Sequence, residues 1–435
     1  MKKKYLSVIL FTLTLLATAI ISRSHSVSIS NNDELRKELN NETHIINSIN
    51  PLDTNFADFI FLKEKIKDVD IIMLGEQQHG DGATFKAKSR MIKFLHKEMG
   101  FDVLVYESGL FDCTTLWDTL KQKEVLKPEL FRKGLFWFWC ESEETQPLLN
   151  YIIENVNTDN ELEINGCDLQ FSGAIKLSER KAQLIEYFND YKEFNKDNYS
   201  IFLKSLDEFW KITYGEISVK EPNKLFGEIK SLRELIINKE ILNRKDSIFS
   251  QYMSNIYDNY FDAIMNKDNI LCQIKYRDSI MANNVFWLKN NIYKNRKIII
   301  WAANSHIISN HSNNERLKGY TRMGEYIKHK YKESCYVMNF TSNYGETINI
   351  SNGGALSIND ASNQSIEYLL HDMKHEYSYI DFRDLNIHSP LNDTISLKCL
   401  GHGNHVANWS TMIDGLFYID KMTPFNRVAK VGTKK

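Results

Sequence analysis

Short apolar runs alternate with longer amphipathic stretches along most of this chain. Residues 70–74 (DIIML) and 101–106 (FDVLVY) are brief, apolar and bounded by turn residues, as in strands buried on both faces. Between them Phe85, Ile92, Leu95 and Met99 recur at helical spacing, and Gly100 follows where a C-cap glycine belongs. Such a strand–loop–helix–strand unit predicts parallel pairing. Further apolar runs at 162–164, 297–301, 335–340, 377–382 and 416–419 predict more strands. Residues 174–294 differ: they carry almost no such run, and show helical patterns at 180–191, 223–242 and 250–265. The expected fold is α/β, a largely parallel sheet flanked by helices with a long helical insertion. Residues 26–173 and 295–435 form the two parts of the α/β domain, and 174–294 a helical subdomain.

The first residues break this pattern. Lys2, Lys3 and Lys4 precede an uncharged apolar run over 6–21, then small and polar residues. That layout predicts a secretory signal over 1–25 and an exported protein, periplasmic or secreted, or else an uncleaved membrane anchor. A membrane partner is expected only in the second case. With 43% hydrophobic and 25% charged residues, the chain as a whole has the composition of a globular protein. A net charge of -2 gives no polyanion-binding signal, so no nucleic-acid partner is expected. The six cysteines, Cys113, Cys140, Cys167, Cys272, Cys335 and Cys399, form no C-x-x-C pair, and are read mostly as buried thiols.

In open α/β sheets, ligands bind beyond the carboxyl ends of the strands. Glu76 and His79 lie past the first predicted strand, Glu107 past the second, Asp168 past the third and His306 past the fourth. If the strands are parallel, these five ionisable groups share one edge of the sheet. Lys88 falls inside the apolar stripe of its helix, either snorkelling or aimed back at the strand ends. Arg277, on the same face as Met281 and Leu288, allows the same two readings. The segment His402-Gly403-Asn404-His405 is read as a turn rather than a metal site.

The segment LGEQQHG…FKAKSRMIKFLHKEMGFDVLVYESG resembles the erythromycin esterase family, with its Gly-Glu-x-x-His-Gly turn, helix and glutamate-ended strand. The likeness continues, in order, through WFWCESEETQPLLNYI, INGCDLQ, YRDSIMANNVFWL, WAANSHIIS, RMGEYI and FTSNYGE, across residues 70–346. It implies a hydrolase acting on a small-molecule ester or lactone, in some members a macrolide, with no cofactor and no metal. On this resemblance His79 is the catalytic base, Glu76 and Glu107 are active-site carboxylates and His306 is a second catalytic histidine. Arg277, Lys88, Asp168 and Trp139 are the expected substrate-binding residues. Lys88 stands where many members have arginine, and Ala303 where many have histidine. Lysine lacks the bidentate grip of arginine, which points to a different substrate or placement.

The chemistry fits the residue types independently. An imidazole is suited to take a proton from water near neutral pH. A carboxylate on its other nitrogen fixes the tautomer and stabilises the imidazolium. Two other readings of the same residues are a metal-dependent hydrolase and a small-molecule-binding protein that has lost turnover.

Overall fold

The computed structural model describes residues 32–189 and 243–429, apart from 267 and 312–317, together with a few positions between 227 and 234. The predicted leader and the helical pattern at 223–242 therefore fall outside or largely outside the described residues.

The strands are β1 (Thr43–Ile45), β2 (Ile71–Leu74), β3 (Phe101–Gly109), β4 (Glu163–Asp168), β5 (Lys297–Trp301), β6 (Cys335–Asn349), β7 (Gly354–Ile358), β8 (Tyr377–Asp381), β9 (Ile395–Leu400), β10 (Gly403–Ala407) and β11 (Gly415–Met422). The main sheet runs β1-β8-β11-β6-β2-β5-β3-β4, with β7 paired to β6. From β11 to β4 every neighbour is parallel; β8, β1 and β7 add antiparallel pairs at the margins. All seven expected strands are present. The ones the sequence did not announce, β1, β7, β9 and β10, are marginal or lie off the main sheet.

Among the described residues, the helices of seven residues or more are α1 (Asn32–Glu42), α2 (Gly82–Met99), α3 (Leu110–Gln122), α4 (Gln146–Asn155), α5 (Leu177–Asn189), α6 (Arg244–Met265), α7 (Ile270–Trp287), α8 (Met323–Tyr331) and α9 (Ile366–Asp372). Alternation along the parallel strands divides the core in two. Ile72, Leu74, Leu104, Tyr106, Ile299 and Trp301 face one layer, completed by Phe85, Met91, Ile92 and Leu95 of α2 and by Leu148, Leu149 and Ile152 of α4. Ile71, Met73, Val103, Val105, Ile298 and Ile300 face the other, against Met281, Ala282 and Val285 of α7, Met323 and Ile327 of α8, and Leu369 and Leu370 of α9. A parallel sheet covered on both faces explains why its strands read as unbroken apolar runs. α2 ends at Gly100, whose φ of 72° is the left-handed cap conformation that favours glycine.

Between β4 and β5 the described residues hold α5, α6 and α7 and no strand. The last of these packs against β4. It thus belongs to the helix layer of the sheet, although the sequence pattern groups it with the insertion.

Candidate active site

The strand exits do converge, through local features of each segment. After β2 the chain turns at Gly75, whose N–H donates to Met338 O at 2.9 Å. A Cβ on Gly75 would overlap Asn304 Oδ1, and one on Gly80 would overlap the Ile348 backbone. Neither glycine has a positive φ. Both are therefore set by neighbouring protein that packs against them, not by a strained turn or by close approach of a substrate.

Glu76 is fully buried and receives four N–H donors. His79 Nδ1 lies 2.7 Å and Trp139 Nε1 3.2 Å from Oε1; Lys88 Nζ lies 3.0 Å and Trp301 Nε1 2.6 Å from Oε2. Lys88 reaches this carboxylate because helical side chains lean toward the helix N-terminus, here back over the strand exit. Its ammonium also sits 4.3 Å from the Trp301 ring centre. Burial pushes Lys88 down to about 8 despite the pull of Glu76. Lys88 and Trp139, expected to hold substrate, are buried with their donors directed at Glu76. In this geometry they hold the carboxylate that holds the histidine.

A carboxylate only accepts, so the 2.7 Å contact places the His79 proton on Nδ1 and leaves Nε2 as the lone-pair atom. Among the described residues nothing bonds Nε2, and the side chain keeps 18% of its surface exposed. It stacks on Phe138 and meets Trp139 edge-on.

Glu107 lies inside β3, not past its end. The β3–β4 register shifts between Tyr106 and Gly109, a bulge of the kind that re-aims a side chain. Its Oε2 accepts Ala303 N–H at 2.9 Å, and its Oε1 lies 3.0 Å from Arg277 Nη2 and 3.2 Å from His306 Nε2. Burial works to raise Glu107, but His306, then His79 and Arg277, hold it well below the usual carboxylate range. Asp168 is the last residue of β4, buried, and gripped by Arg277 through Nε and Nη2, the latter at 2.6 Å. Arg277 keeps 20% of its side-chain surface exposed.

His306 follows β5 in a helical turn, Asn304–Ile307. Its Nδ1 is 2.7 Å from Asp278 Oδ1 and its Nε2 3.2 Å from Glu107. Burial alone would lower its pKa, yet the carboxylates of Asp278 and Glu107 raise it to about 9. A carboxylate facing each nitrogen favours the doubly protonated imidazolium at His306. Arg277 Nη1 approaches the same Nε2 at 3.4 Å, a cation beside a cation, held there by shared Glu107.

Asp278 was not among the candidates. Fully buried, it also accepts Arg322 Nη1 at 3.1 Å and Met323 N–H at 2.9 Å. In the sequence it shows only as a charged residue on the helix face of Met281, Ala282 and Val285, which does not by itself say where the side chain reaches. A second unforeseen element is the β9–β10 hairpin. Gly401 (φ 60°) and His402 (φ 62°) form its two-residue turn, the positive φ values of a type I′ hairpin. Of the segment 402–405, read from the sequence as a turn, only His402 lies in the turn; Gly403, Asn404 and His405 begin β10. The hairpin docks beside the turn that carries Glu76 and His79: His402 Nε2 at its tip lies 3.0 Å from Asp81 Oδ1, and Gln77 donates to Lys398 O of β9 at 2.8 Å. Among the described residues, no group of three or more His, Cys, Asp or Glu side chains is arranged to hold a metal ion.

This is a mixed α/β protein whose polar cluster lies at the carboxyl edge of a parallel sheet. The profile of the erythromycin esterase family matches residues 96–422, and the chain belongs to that family. It is 26% identical over 370 residues to YbfO of Bacillus subtilis (strain 168), provisionally named a hydrolase, covering 76% of this chain and 79% of that one. Among solved structures it is similar to a succinoglycan biosynthesis protein, with TM-score 0.76 and 18% identity over 93% of this chain and all of the other (100%). It is also similar to an erythromycin esterase mutant in its open conformation, with TM-score 0.67 and 15% identity over 88% and 98% of the two chains. These structures share its fold; the family and the relative indicate a hydrolase.

Proposed function

We propose that the protein hydrolyses a carboxylic ester or lactone with water activated by His79. The observation that carries this reading is the Glu76–His79 pair, which leaves a bare Nε2 at a partly exposed edge of an otherwise buried cluster. Water hydrogen-bonded to Nε2 gives up its proton as it attacks the carbonyl carbon. Glu76 stabilises the imidazolium that forms, because it faces the ring nitrogen that keeps its proton. The developing oxyanion needs a cation, and Arg277 is the one with exposed surface beside Glu107. His306, charged and buried behind it, adds to that field. A preorganised donor of this kind is worth roughly 3–4 kcal/mol in acyl transfer. The imidazolium of His79 then protonates the leaving alkoxide, restoring the starting state.

The test is a panel of esters and lactones, macrolides included, assayed on wild type, His79→Ala and Glu107→Gln after dialysis against chelator. Hydrolysis lost in His79→Ala and retained after chelation supports the reading. Full activity in His79→Ala removes the general base, and activity lost only on chelation transfers the reaction to a metal. Export is a separate proposal, carried by the basic and apolar N-terminal run. Mass spectrometry of native protein that finds residues 1–21 intact in a soluble cytoplasmic fraction counts against it.

A further inference from the structure

The single turn Trp137–Cys140 touches the Glu76–His79 pair in two ways. Trp139 donates its indole N–H to Glu76. Its neighbour Phe138 makes no hydrogen bond there and instead lies flat against the imidazole, with ring centres 4.7 Å apart and planes within 11°. Phe138 is itself held in plane: Phe136 lies parallel to it at 5.4 Å, and Trp139 meets it edge-on at 4.7 Å. It is 5% exposed, so water is largely excluded from that face of the histidine.

Two physical consequences follow. The hydrogen bond from Nδ1 to Glu76 fixes one atom of the ring, and the χ2 torsion of histidine is otherwise soft. A flat neighbour removes that freedom and keeps Nε2 aimed outward. The face of a benzene ring is also negative, so it attracts a cation far more than a neutral ring. His79 passes from neutral to cationic during the proposed reaction, and the contact tightens as the proton arrives.

We propose that Phe138 is a positioning residue for His79, fixing the imidazole plane and stabilising the imidazolium formed as water is activated. This rests on the reading of His79 as the base. The other charges facing His79 are Glu76 from its own turn, Glu107 from β3 and Lys88 of α2 behind Glu76. None of them changes when the electron density of the Phe138 ring is altered, so that ring can be tested alone.

The experiment replaces Phe138 in the full chain with 4-fluoro-, 3,5-difluoro- and 3,4,5-trifluorophenylalanine, which keep shape while draining the negative face. Two readouts are taken: the pH–rate profile with p-nitrophenyl butyrate, and an NMR titration of the His79 ring that needs no turnover. The expected result is that the acid limb and the NMR midpoint move together to lower pH with each fluorine, by about half a pH unit at trifluoro. Phe138→Leu is expected to lower kcat roughly tenfold with little change in KM, and Phe138→Tyr to recover most of it. An NMR midpoint constant across the series overturns the proposal, whatever His79→Ala does to activity. A moving midpoint in a protein whose His79→Ala variant stays active upholds the stacking interaction and sinks the base assignment instead.

Discussion

His79 faces one carboxylate and His306 faces two, and the two residues sit at equivalent exits of adjacent parallel strands. Glu76 accepts a hydrogen bond from Nδ1–H of His79 and leaves Nε2 open beside a partly exposed surface. Asp278 and Glu107 occupy both nitrogens of His306, bury it and raise it to about 9. On the proposed reading, one imidazole serves as the base and the other as a fixed cation. Residue type and strand position do not separate these roles; the number of acceptors around each ring does.

The largest effect should come from removing the open ring. His79→Ala is expected to cost about a thousandfold in kcat, within the range for a lost general base, with the circular dichroism spectrum unchanged. If His306 supplied the base instead, that variant would keep most activity and His306→Ala would lose it.

Asp278→Asn should follow, with a loss of about a hundredfold, comparable to deleting one oxyanion-stabilising donor. It removes a buried anion shared by His306 and Arg322, so a drop in stability of about 3–5 kcal/mol is expected in urea titrations. The pH dependence has a definite sign. His306 is raised above its ordinary 6.5 to about 9 in the folded protein, so its stabilising contribution is whole below about 6.5 and is lost as pH rises through about 9. The stability difference between wild type and His306→Gln should therefore shrink over that window. Lys88, lowered to about 8 from 10.5, works in the opposite direction from about 8 upward and is common to both proteins.

Glu107→Gln is expected to cost roughly tenfold, because Glu107 aligns His306 and Arg277 without taking the water proton. Its alkaline limb should move to lower pH as His306 loses one of two carboxylates. The smallest effect belongs to Trp139→Phe, which removes one of four donors to Glu76. At 3.2 Å it is the longest of the four, so the low end for a hydrogen bond to a charged group is expected, about 1.5 kcal/mol or roughly tenfold, and KM should hardly change. A large KM effect would return Trp139 to direct substrate contact.

The parallel sheet was legible because strands buried on both faces read as apolar runs, and with it came the shared edge bearing Glu76, Glu107, Asp168 and His306. What escaped was whatever depended on helix register or on marginal strands. Asp278 is one position from Arg277, and only the packing of α7 on β4 shows that both side chains reach the strand exits. The bulge that aims Glu107 leaves no mark in FDVLVYESG beyond Gly166 opposite, where a Cβ would strike Ser108 O. The β9–β10 hairpin, lying off the main sheet, contacts Gln77 and Asp81 from more than three hundred residues away, at separations of 321 residues in both pairs.

The division between the two rings is most directly tested by nitrogen-15 NMR of the histidine side chains at pH 8. The account predicts that His306 carries protons on both nitrogens, and that His79 carries one on Nδ1 and none on Nε2. A neutral His306, or a His79 protonated on Nε2 with a bare Nδ1, would contradict it.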